Sequence, residues 1–328
     1  MEIVEYQSCH KEEWDAFVRD SNNGTMFHLI RFLEYHPPGR FPFHHLLFRE
    51  NDEIVAVLPG GLWDNGMFES PVGASYGSFV AKDIKVEAAL SVVDAFDGYC
   101  RSKGIKEVFL TPAPFIYQRS FSQNFDFVLM YRGYSYQRHY ISHAIKLDRG
   151  ANPLDSFQRT ARRNVRKTMR NVDVIVEISD DYKSFYSILV ENKQKFDAKP
   201  THSYEDLLKL KGLLPDNLVL FLLKVNGTPA AGSLMFDCNP KVALCFYNML
   251  RYEFEEYRPV YRLMYEVINW AAEKGFEWLD IGVSQDTHAE NPMTPSLNLI
   301  TFKEKFNSRG LLRSTFYKKV LPASARNR

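Results

Sequence analysis

The sequence has almost no net charge and no long apolar run. Its 41 Lys and Arg residues nearly balance its 40 Asp and Glu residues, which leaves a formal charge of +1. This near-zero net charge argues against a polycationic DNA-binding protein, but it does not exclude a local basic cleft. No apolar run reaches the roughly 18 residues that a membrane-spanning helix needs, and the opening MEIVEYQSCHKEE lacks the apolar core of a signal peptide. We therefore expect a cytoplasmic protein without a membrane span.

Cysteine is scarce as well, and its spacing carries no metal signature. The four residues are Cys9, Cys100, Cys238 and Cys245. They show neither CxxC spacing nor the Cys/His spacing of a zinc site, and the paired histidines do not resemble a metal site. We expect reduced thiols with structural roles and no bound metal.

The sequence does contain a long internal repeat. With 45% hydrophobic residues in 328 positions, the chain can bury two sizeable cores, and domains of roughly 150 residues are near the usual size. Amphipathic helices are predicted from Lys11 and from Asp181, hairpin turns at Asn51-Asp52 and at Asn226-Gly227, and long helices ending in Lys-Gly before a further strand. The second copy follows the first by roughly 170 to 175 residues, which is typical of tandem modules. We predict two α/β modules, 1–150 and 151–328, and expect the cleft between them to hold the site.

An arginine-rich segment separates the two modules. A helix is predicted after Asn152-Pro153, and its basic residues are Arg159, Arg162, Arg163, Arg166, Lys167 and Arg170. Spacings of three and four place several guanidinium groups on one face of that helix. Such a face suits phosphate or carboxylate recognition, and a solvated helix joining two domains is the alternative.

Several short segments follow one another in an order typical of one enzyme family. In the second module they are Thr160-Ala161-Arg162, Phe246-Tyr247-Asn248, Tyr257–Leu263, Asp280-Ile281-Gly282 and Phe302–Phe306. In the first module they are Trp14–Phe17, Gly24–His28 and Ser70–Gly77. Across essentially its whole length the chain resembles the FemAB/FemX-like acyltransferases, particularly bacterial members near cell-envelope polysaccharide biosynthesis.

This resemblance implies two tandem GNAT-like domains of α/β (α+β) class, each a mixed, mostly antiparallel twisted sheet flanked by helices. A GNAT domain holds its acyl donor where two parallel central strands splay apart, here 242–249 and 277–283. A backbone N–H freed by the splay can stabilise the tetrahedral oxyanion of acyl transfer. An acid and a base should reach the same gap, because the acceptor amine loses a proton and the leaving group gains one.

The candidate site residues fall into three sets. The catalytic candidates are Asp280, His288, Lys303 and Tyr247. The substrate-binding candidates are Arg162, Arg163, Arg166, Lys167, Tyr76, Asn248, Ser284 and Phe302. The cofactor-binding candidates are Arg258, Arg262 and Tyr261.

Some of these residues are assigned by the family resemblance, and others by the chemistry of their local sequence. The resemblance assigns Arg162 to a nucleotide-sugar phosphate, Tyr247 to the acceptor site and Phe302-Lys303 to the reacting acyl group. Asp280 ends a buried strand, and His288 lies in a long polar loop with an imidazole that titrates near neutrality. Each has a structural alternative: Tyr247 as a core aromatic, Lys303 as a solvated lysine, Asp280 as a loop cap and His288 as a surface histidine.

One departure from the GNAT pattern concerns the acyl donor. Simple GNAT enzymes cradle the CoA pyrophosphate on a glycine-rich loop at a helix N-terminus. The matching stretch here, Arg251 to Leu263, contains no glycine, so CoA would have to be held differently. The long coiled-coil arm of many tRNA-dependent relatives is also missing, although arm-less members that use tRNA are known in that family.

The sequence interpretation that we favour is acetyl-CoA-dependent N-acetylation of a nucleotide-linked amino sugar or a related cell-envelope precursor. The first alternative is FemX-like aminoacyl transfer from charged tRNA to a peptidoglycan precursor, which predicts a basic track and salt-dependent binding. The second is a non-catalytic nucleotide-sugar-binding protein that keeps the fold.

Overall fold

The computed structural model describes residues 1–195, 197–286 and 289–321. Its strands are β1 (Glu2–Glu5), β2 (Leu46–Glu50), β3 (Glu53–Leu58), β4 (Gly61–Leu62), β5 (Met67–Ser70), β6 (Val80–Ala81), β7 (Glu107–Leu110), β8 (Ser135–Lys146), β9 (Val174–Ile178), β10 (Leu218–Val225), β11 (Thr228–Asn239), β12 (Val242–Leu250), β13 (Trp278–Val283) and β14 (Arg309–Lys319). Its α-helices are α1 (Lys11–Asp20), α2 (Ile30–Leu33), α3 (Val86–Ser102), α4 (Asn124–Tyr131), α5 (Pro153–Ser156), α6 (Arg159–Met169), α7 (Tyr182–Gln194), α8 (Tyr204–Leu213), α9 (Pro259–Lys274) and α10 (Leu297–Glu304). Within these ranges, no helix is long and apolar enough to cross a bilayer.

The chain divides into two compact units. The first comprises Met1–Tyr140 and the chain from Leu312, and the second is Ile141–Leu311. Both divisions fall inside strands, the first within β8 and the second within β14. The domain boundary expected after residue 150 stays a prediction.

The first unit contains two sets of paired strands. Strands β1, β2, β3 and β6 form an antiparallel sheet in that order, and β4, β5, β7 and β14 follow one another in the second set. In the second set β5 and β7 run parallel, with Met67 opposite Glu107. The long helix α3 supplies Val92, Val93 and Phe96 to the core of this unit, which also includes Phe48 and Phe68.

The second unit is built on one sheet with the strand order β8, β13, β12, β11, β10, β9. The pair β12 and β13 is parallel, and the other neighbours are antiparallel. Helix α9 packs its apolar face, including Leu263, Val267 and Ala271, into the core of this unit. Helix α6 joins the same core through Ala161 and Val165, so its remaining faces carry the basic side chains.

The turns and helix ends expected from the repeat are confirmed. Asn51 and Asp52 between β2 and β3, and Asn226 and Gly227 between β10 and β11, all have positive φ, as the two-residue hairpin turns of this type require. Gly275 ends α9 with a φ of 96°, where a residue without Cβ is favoured. Each copy of the repeat therefore forms the helix, hairpin, strand and long helix that its residues predict.

Candidate active site

The two central strands of the second unit separate after three residue pairs. Strands β12 and β13 pair in parallel through Val242 and Trp278, Ala243 and Leu279, and Leu244 and Asp280. Beyond this point the register of β12 with β11 shifts, because Leu234 faces Tyr247 while Met235 faces Cys245. The extra residue is a β-bulge, which turns backbone groups away from the ladder. The predicted splay is thus present, and it begins after the pair Leu244 and Asp280.

Strand β13 has an irregularity of its own at the same level. Its register with β8 shifts between Asp280 and Val283, and Gly282 adopts a φ of 75°. The carboxylate of Asp280 is fully buried. Its Oδ1 accepts hydrogen bonds from the Gly282 amide at 2.7 Å and from the Ser142 hydroxyl at 3.1 Å. Asp280 therefore stabilises the bulge as a loop cap would, and it also places a negative charge at the splay.

Lys303 is buried beneath this bulge. Its Nζ donates to the carbonyls of Gly282 and Val283 at 2.8 Å each and to Ser284 Oγ at 3.0 Å. Burial lowers the pKa of Lys303 to about 8, an effect that the nearby Asp280 carboxylate opposes. The three donors of an ammonium group match these three acceptors, so Lys303 fixes the end of β13 and is not a solvated lysine.

Ser284 connects Lys303 to a histidine that the sequence interpretation did not select. Ser284 Oγ lies 2.9 Å from His143 Nδ1. Since the oxygen accepts from the ammonium, its hydrogen is available to His143 Nδ1, which leaves the ring proton on Nε2. Burial and then the charge of Lys303 lower the pKa of His143. The imidazole is thus kept neutral beside the ammonium.

Tyr247 and Asn248 follow the bulge on β12. Tyr247 is 3% exposed, and its hydroxyl lies 2.9 Å from His202 Nδ1. Burial raises the pKa of Tyr247 to about 12, so the phenol is protonated at neutral pH. Asn248 Oδ1 accepts a hydrogen bond from Ser233 Oγ at 2.9 Å. Because successive side chains of a strand point to opposite faces of the sheet, the Tyr247–His202 contact and the Asn248–Ser233 contact lie on opposite faces.

The predicted donor-binding residues lie at the start of α9. Arg258 has a φ of 54°, and Pro259 occupies the first helical position. Arg262 forms an ion pair with Glu266, with Nε 2.7 Å from the carboxylate. Tyr261 packs against Phe302 and Phe306, at centroid distances of 5.4 and 5.7 Å. The structure thus brings Tyr261 and Phe302 together and engages Arg262 on its own helix.

The basic residues of α6 divide into two groups. Arg162 turns back along the chain, and its Nη2 donates to the carbonyls of Phe157 at 3.0 Å and Asp155 at 3.3 Å. The other five side chains are exposed, and within the described ranges none of them forms an ion pair: Arg159, Arg163, Arg166, Lys167 and Arg170. We call these five the cationic face of α6.

Two predicted site residues lie elsewhere. Tyr76 belongs to the first unit, where it is 3% exposed and packs between Phe27 and Tyr117 at centroid distances of 5.7 and 5.1 Å. His288 lies outside the described residues. The roles proposed for both therefore stay predictions.

The sequence interpretation missed Ser142 and His143, which join Asp280, Ser284 and Lys303 in a buried polar cluster. Their signal was weak, because β8 is a mixed polar and apolar strand in which no local pattern distinguishes these two residues from their neighbours. Only the antiparallel pairing of β8 with β13, which sets Val283 opposite Ser142, brings Ser142 and His143 next to Asp280 and Ser284. Among the described residues, no group of three acidic, His or Cys side chains is placed to hold a metal ion.

Comparison with known proteins agrees with this architecture. Residues 155–290 match the model of the GNAT acetyltransferase domain. The crystal structure of FemX superposes with a TM-score of 0.71, 14% sequence identity and coverage of 97% of both chains.

Two further structures share the fold. A C-terminal domain from Agrobacterium fabrum, named as that of a lysylphosphatidylglycerol synthetase, gives a TM-score of 0.59 at 12% identity and covers 93% of this chain and 90% of its own. A tandem GNAT protein from the clavulanic acid biosynthesis pathway gives 0.56 at 9% identity and covers 98% and 100%. No curated protein sequence matches the chain. At these low identities, the superpositions show a common fold. The predicted class of two tandem GNAT-like domains is confirmed.

Proposed function

We propose that this chain, a GNAT-type acyltransferase with the tandem fold of FemX, transfers an aminoacyl group from charged tRNA to the amine of a nucleotide-linked cell-envelope precursor. The observation that carries the proposal is the cationic face of α6. Four exposed basic side chains lie on the 11-residue helix, and Arg170 follows as its C-cap. These five side chains have no ion-pair partners in the described chain, and they match the phosphate backbone of a nucleic acid better than an isolated pyrophosphate.

The start of α9 supports the same choice of donor. A CoA pyrophosphate is usually held by free N–H groups at a helix N-terminus. Here Pro259 at the first position has no N–H, and the Tyr261 amide is engaged with the Arg258 carbonyl at 3.1 Å. With Arg262 paired to Glu266, this end of α9 offers few groups for a pyrophosphate.

The name of one neighbour also points towards aminoacyl chemistry. A lysylphosphatidylglycerol synthetase is named for a lysyl group joined to a lipid headgroup. At 12% identity this similarity supports the fold and suggests a reaction class. We accordingly place aminoacyl transfer ahead of acetyl transfer, reversing the order that the sequence favoured.

The reaction requires one bond to form and one to break. The acceptor amine attacks the ester carbonyl carbon of the aminoacyl group, an N–C bond forms, and the C–O bond to the ribose breaks. The proton lost by the amine balances the proton gained by the ribose oxygen. Backbone groups at the β12 bulge are candidates to stabilise the oxyanion. Lys303 acts as a positioning residue, because its three hydrogen bonds fix the end of β13.

Acetyl-CoA-dependent acetylation of a nucleotide-linked amino sugar is the second candidate. It is favoured by the matched family model, which describes an acetyltransferase domain. In that case Arg258, at the beginning of α9, is the remaining predicted contact for the CoA phosphates. The two candidates share the site and differ in the donor, so donor binding separates them.

Binding of charged tRNA to the purified full chain tests the leading candidate. We compare the wild type with Arg159→Gln/Arg163→Gln/Arg166→Gln and measure the dissociation constant by fluorescence anisotropy at several salt concentrations. The control is Lys183→Gln/Lys209→Gln/Lys274→Gln, which removes the same charge from three other exposed positions. Loss of three phosphate contacts should weaken binding about 100-fold at physiological salt and lower the log–log salt slope by about 2 to 3.

The outcomes separate the candidates. Equal weakening in both triple variants would indicate non-specific attraction and contradict the role of α6. Stabilisation of the protein by CoA or acetyl-CoA, with no effect of either triple variant on tRNA binding, would favour the acetyl donor. The cytoplasmic location stays a prediction under both candidates.

A further inference from the structure

A cavity in the first unit lies among residues that neither candidate function uses. Its volume is about 560 Å³, within the range of roughly 300 to 1,000 Å³ that is usual for small-molecule sites. It is lined by the end of β1, by α2 and its following turn, and by the residues that lead into β2. We call it the β1–α2 groove.

Aromatic rings form one side of the β1–α2 groove. Phe43 is 37% exposed, and Tyr6 is half-buried. Both rings rest on the buried imidazole of His45, at centroid distances of 5.1 and 5.8 Å. His45 Nδ1 accepts a hydrogen bond from the Gly60 amide at 3.0 Å, which fixes that ring. The buried His45 ring therefore packs against both Phe43 and Tyr6 and fixes their positions in the groove.

Two carboxylates, Glu5 and Glu34, line the groove with these rings. Glu5 accepts a hydrogen bond from the Tyr99 hydroxyl at 2.7 Å and pairs with Lys103 at 2.6 Å. His44 Nε2 lies 2.6 Å from the same Tyr99 hydroxyl, so that a chain of three groups holds Glu5 in place. Glu34 pairs with Lys11 at 2.7 Å. Each carboxylate is held by a cation and still has lone pairs to accept a ligand hydroxyl.

The charge balance limits what this groove can bind. Each carboxylate is paired with a lysine, so the groove has little net charge to attract either a cation or an anion. Its carboxylate oxygens accept hydrogen bonds, and a fully ionised phosphate has no hydrogen to donate to them. Burial lowers the pKa of His45 to about 3 and also lowers the pKa of His44, so the imidazoles add no positive charge at neutral pH. A neutral ligand with one apolar face and several hydroxyl groups fits these properties best.

We propose that the β1–α2 groove is a binding site for a neutral pyranose ring. The C–H face of the sugar packs on Phe43 and Tyr6, and its hydroxyl groups donate to Glu5 and Glu34. This proposal stands on the first unit alone and does not depend on which donor the second unit uses.

Saturation-transfer NMR on the full-length protein tests the proposal. The probes are glucose, N-acetylglucosamine and their linear trimers, with choline as the cationic probe and inorganic phosphate as the anionic one. The variants are Phe43→Ala, Phe43→Tyr and Glu34→Gln. The matched control is Phe121→Ala, which removes a 70% exposed phenylalanine from the same unit.

We expect saturation transfer to the ring protons of at least one sugar, with millimolar or tighter affinity. Phe43→Ala should weaken that binding about tenfold or more, and Glu34→Gln should weaken it severalfold. Phe43→Tyr and Phe121→Ala should leave it unchanged. The proposal is overturned if no sugar binds, if choline or phosphate binds instead, or if Phe43→Ala leaves sugar binding intact. Glu34→Gln keeps the test valid should Phe43→Ala fold poorly, because it changes an exposed side chain, and unchanged sugar binding in this variant would also overturn the proposal.

Discussion

The buried ammonium of Lys303 predicts a rise in stability at alkaline pH. Its pKa falls from 10.5 to about 8 in the folded protein, and the unfolded chain keeps the ordinary value near 10.4. Between these two values the unfolded state binds a proton that the folded state has lost. The free energy of unfolding therefore increases with pH across this window. A depression of this size corresponds to about 3 kcal/mol, and the conversion is appropriate because Lys303 is 7% exposed.

The assay is urea unfolding of the wild type and of Lys303→Met at pH 7, 8, 9 and 10.5. Stability of the wild type relative to the variant should rise by about 3 kcal/mol from the lowest to the highest pH. Burial lowers the pKa of His143 below its ordinary value, so this imidazole titrates below the window. Burial raises the pKa of Cys245 to about 12, whereas a thiol of the unfolded chain ionises at about 8.5. The free energy of unfolding therefore falls with pH on account of Cys245 in both proteins, and the comparison of wild type with Lys303→Met removes this shared effect. Lys305→Met, two residues away on the same segment, is the control and should parallel the wild type. Parallel curves for wild type and Lys303→Met would refute the buried-ammonium argument.

Three further perturbations test the packing around the site. Gly275→Ala should destabilise the protein by about 1 to 3 kcal/mol in urea unfolding, because a residue with a Cβ is strained at a φ of 96°; the Arg149 guanidinium that this Cβ would meet is the end of an exposed side chain and can move aside. Gly104→Ala, with a φ of 67° closer to the left-handed region near about 57°, should cost less, and equal losses would contradict the backbone-strain argument. Tyr247→Phe removes the hydroxyl beside His202 and should lower the free energy of unfolding by about 1 kcal/mol; an unchanged melting temperature would mean that this bond contributes nothing. Ser203→Ala removes the capping box of α8 and should cost about 1 kcal/mol, whereas Ser203→Thr should retain most of it, as thermal unfolding of the two variants can show.

The repeat made much of the fold predictable, because its signals are local. Asn226-Gly227 fixes a hairpin through backbone conformations that few other residues adopt, and Gly275 ends a helix for the same reason. These elements depend on neighbouring residues and need no knowledge of distant contacts. The strands β12 and β13 were predicted from mainly apolar segments, whereas their parallel pairing was implied by the resemblance to the FemAB/FemX-like family.

The candidate site was less predictable, because strand pairing assembles it. Ser142 and His143 lie about 140 residues from Asp280 and Ser284 in sequence, and the antiparallel pairing of β8 with β13 brings them together. The hydrogen bonds of Lys303 likewise depend on a bulge in β13, and no local sequence pattern predicts that bulge. Arg162 has the same sequence signature as its neighbours on α6, yet it alone turns back to the chain carbonyls.

The most direct test of the central claim is a donor competition. The purified chain is incubated with a nucleotide-linked peptidoglycan precursor, a mixture of charged tRNAs and acetyl-CoA, and the acceptor is analysed by mass spectrometry. We expect the acceptor to gain an aminoacyl residue. The loss of three arginines from the cationic face of α6 should suppress this product, whereas the three-lysine control should not. An acceptor that gains only an acetyl group, at a rate independent of the α6 arginines, would contradict the proposed aminoacyl transfer.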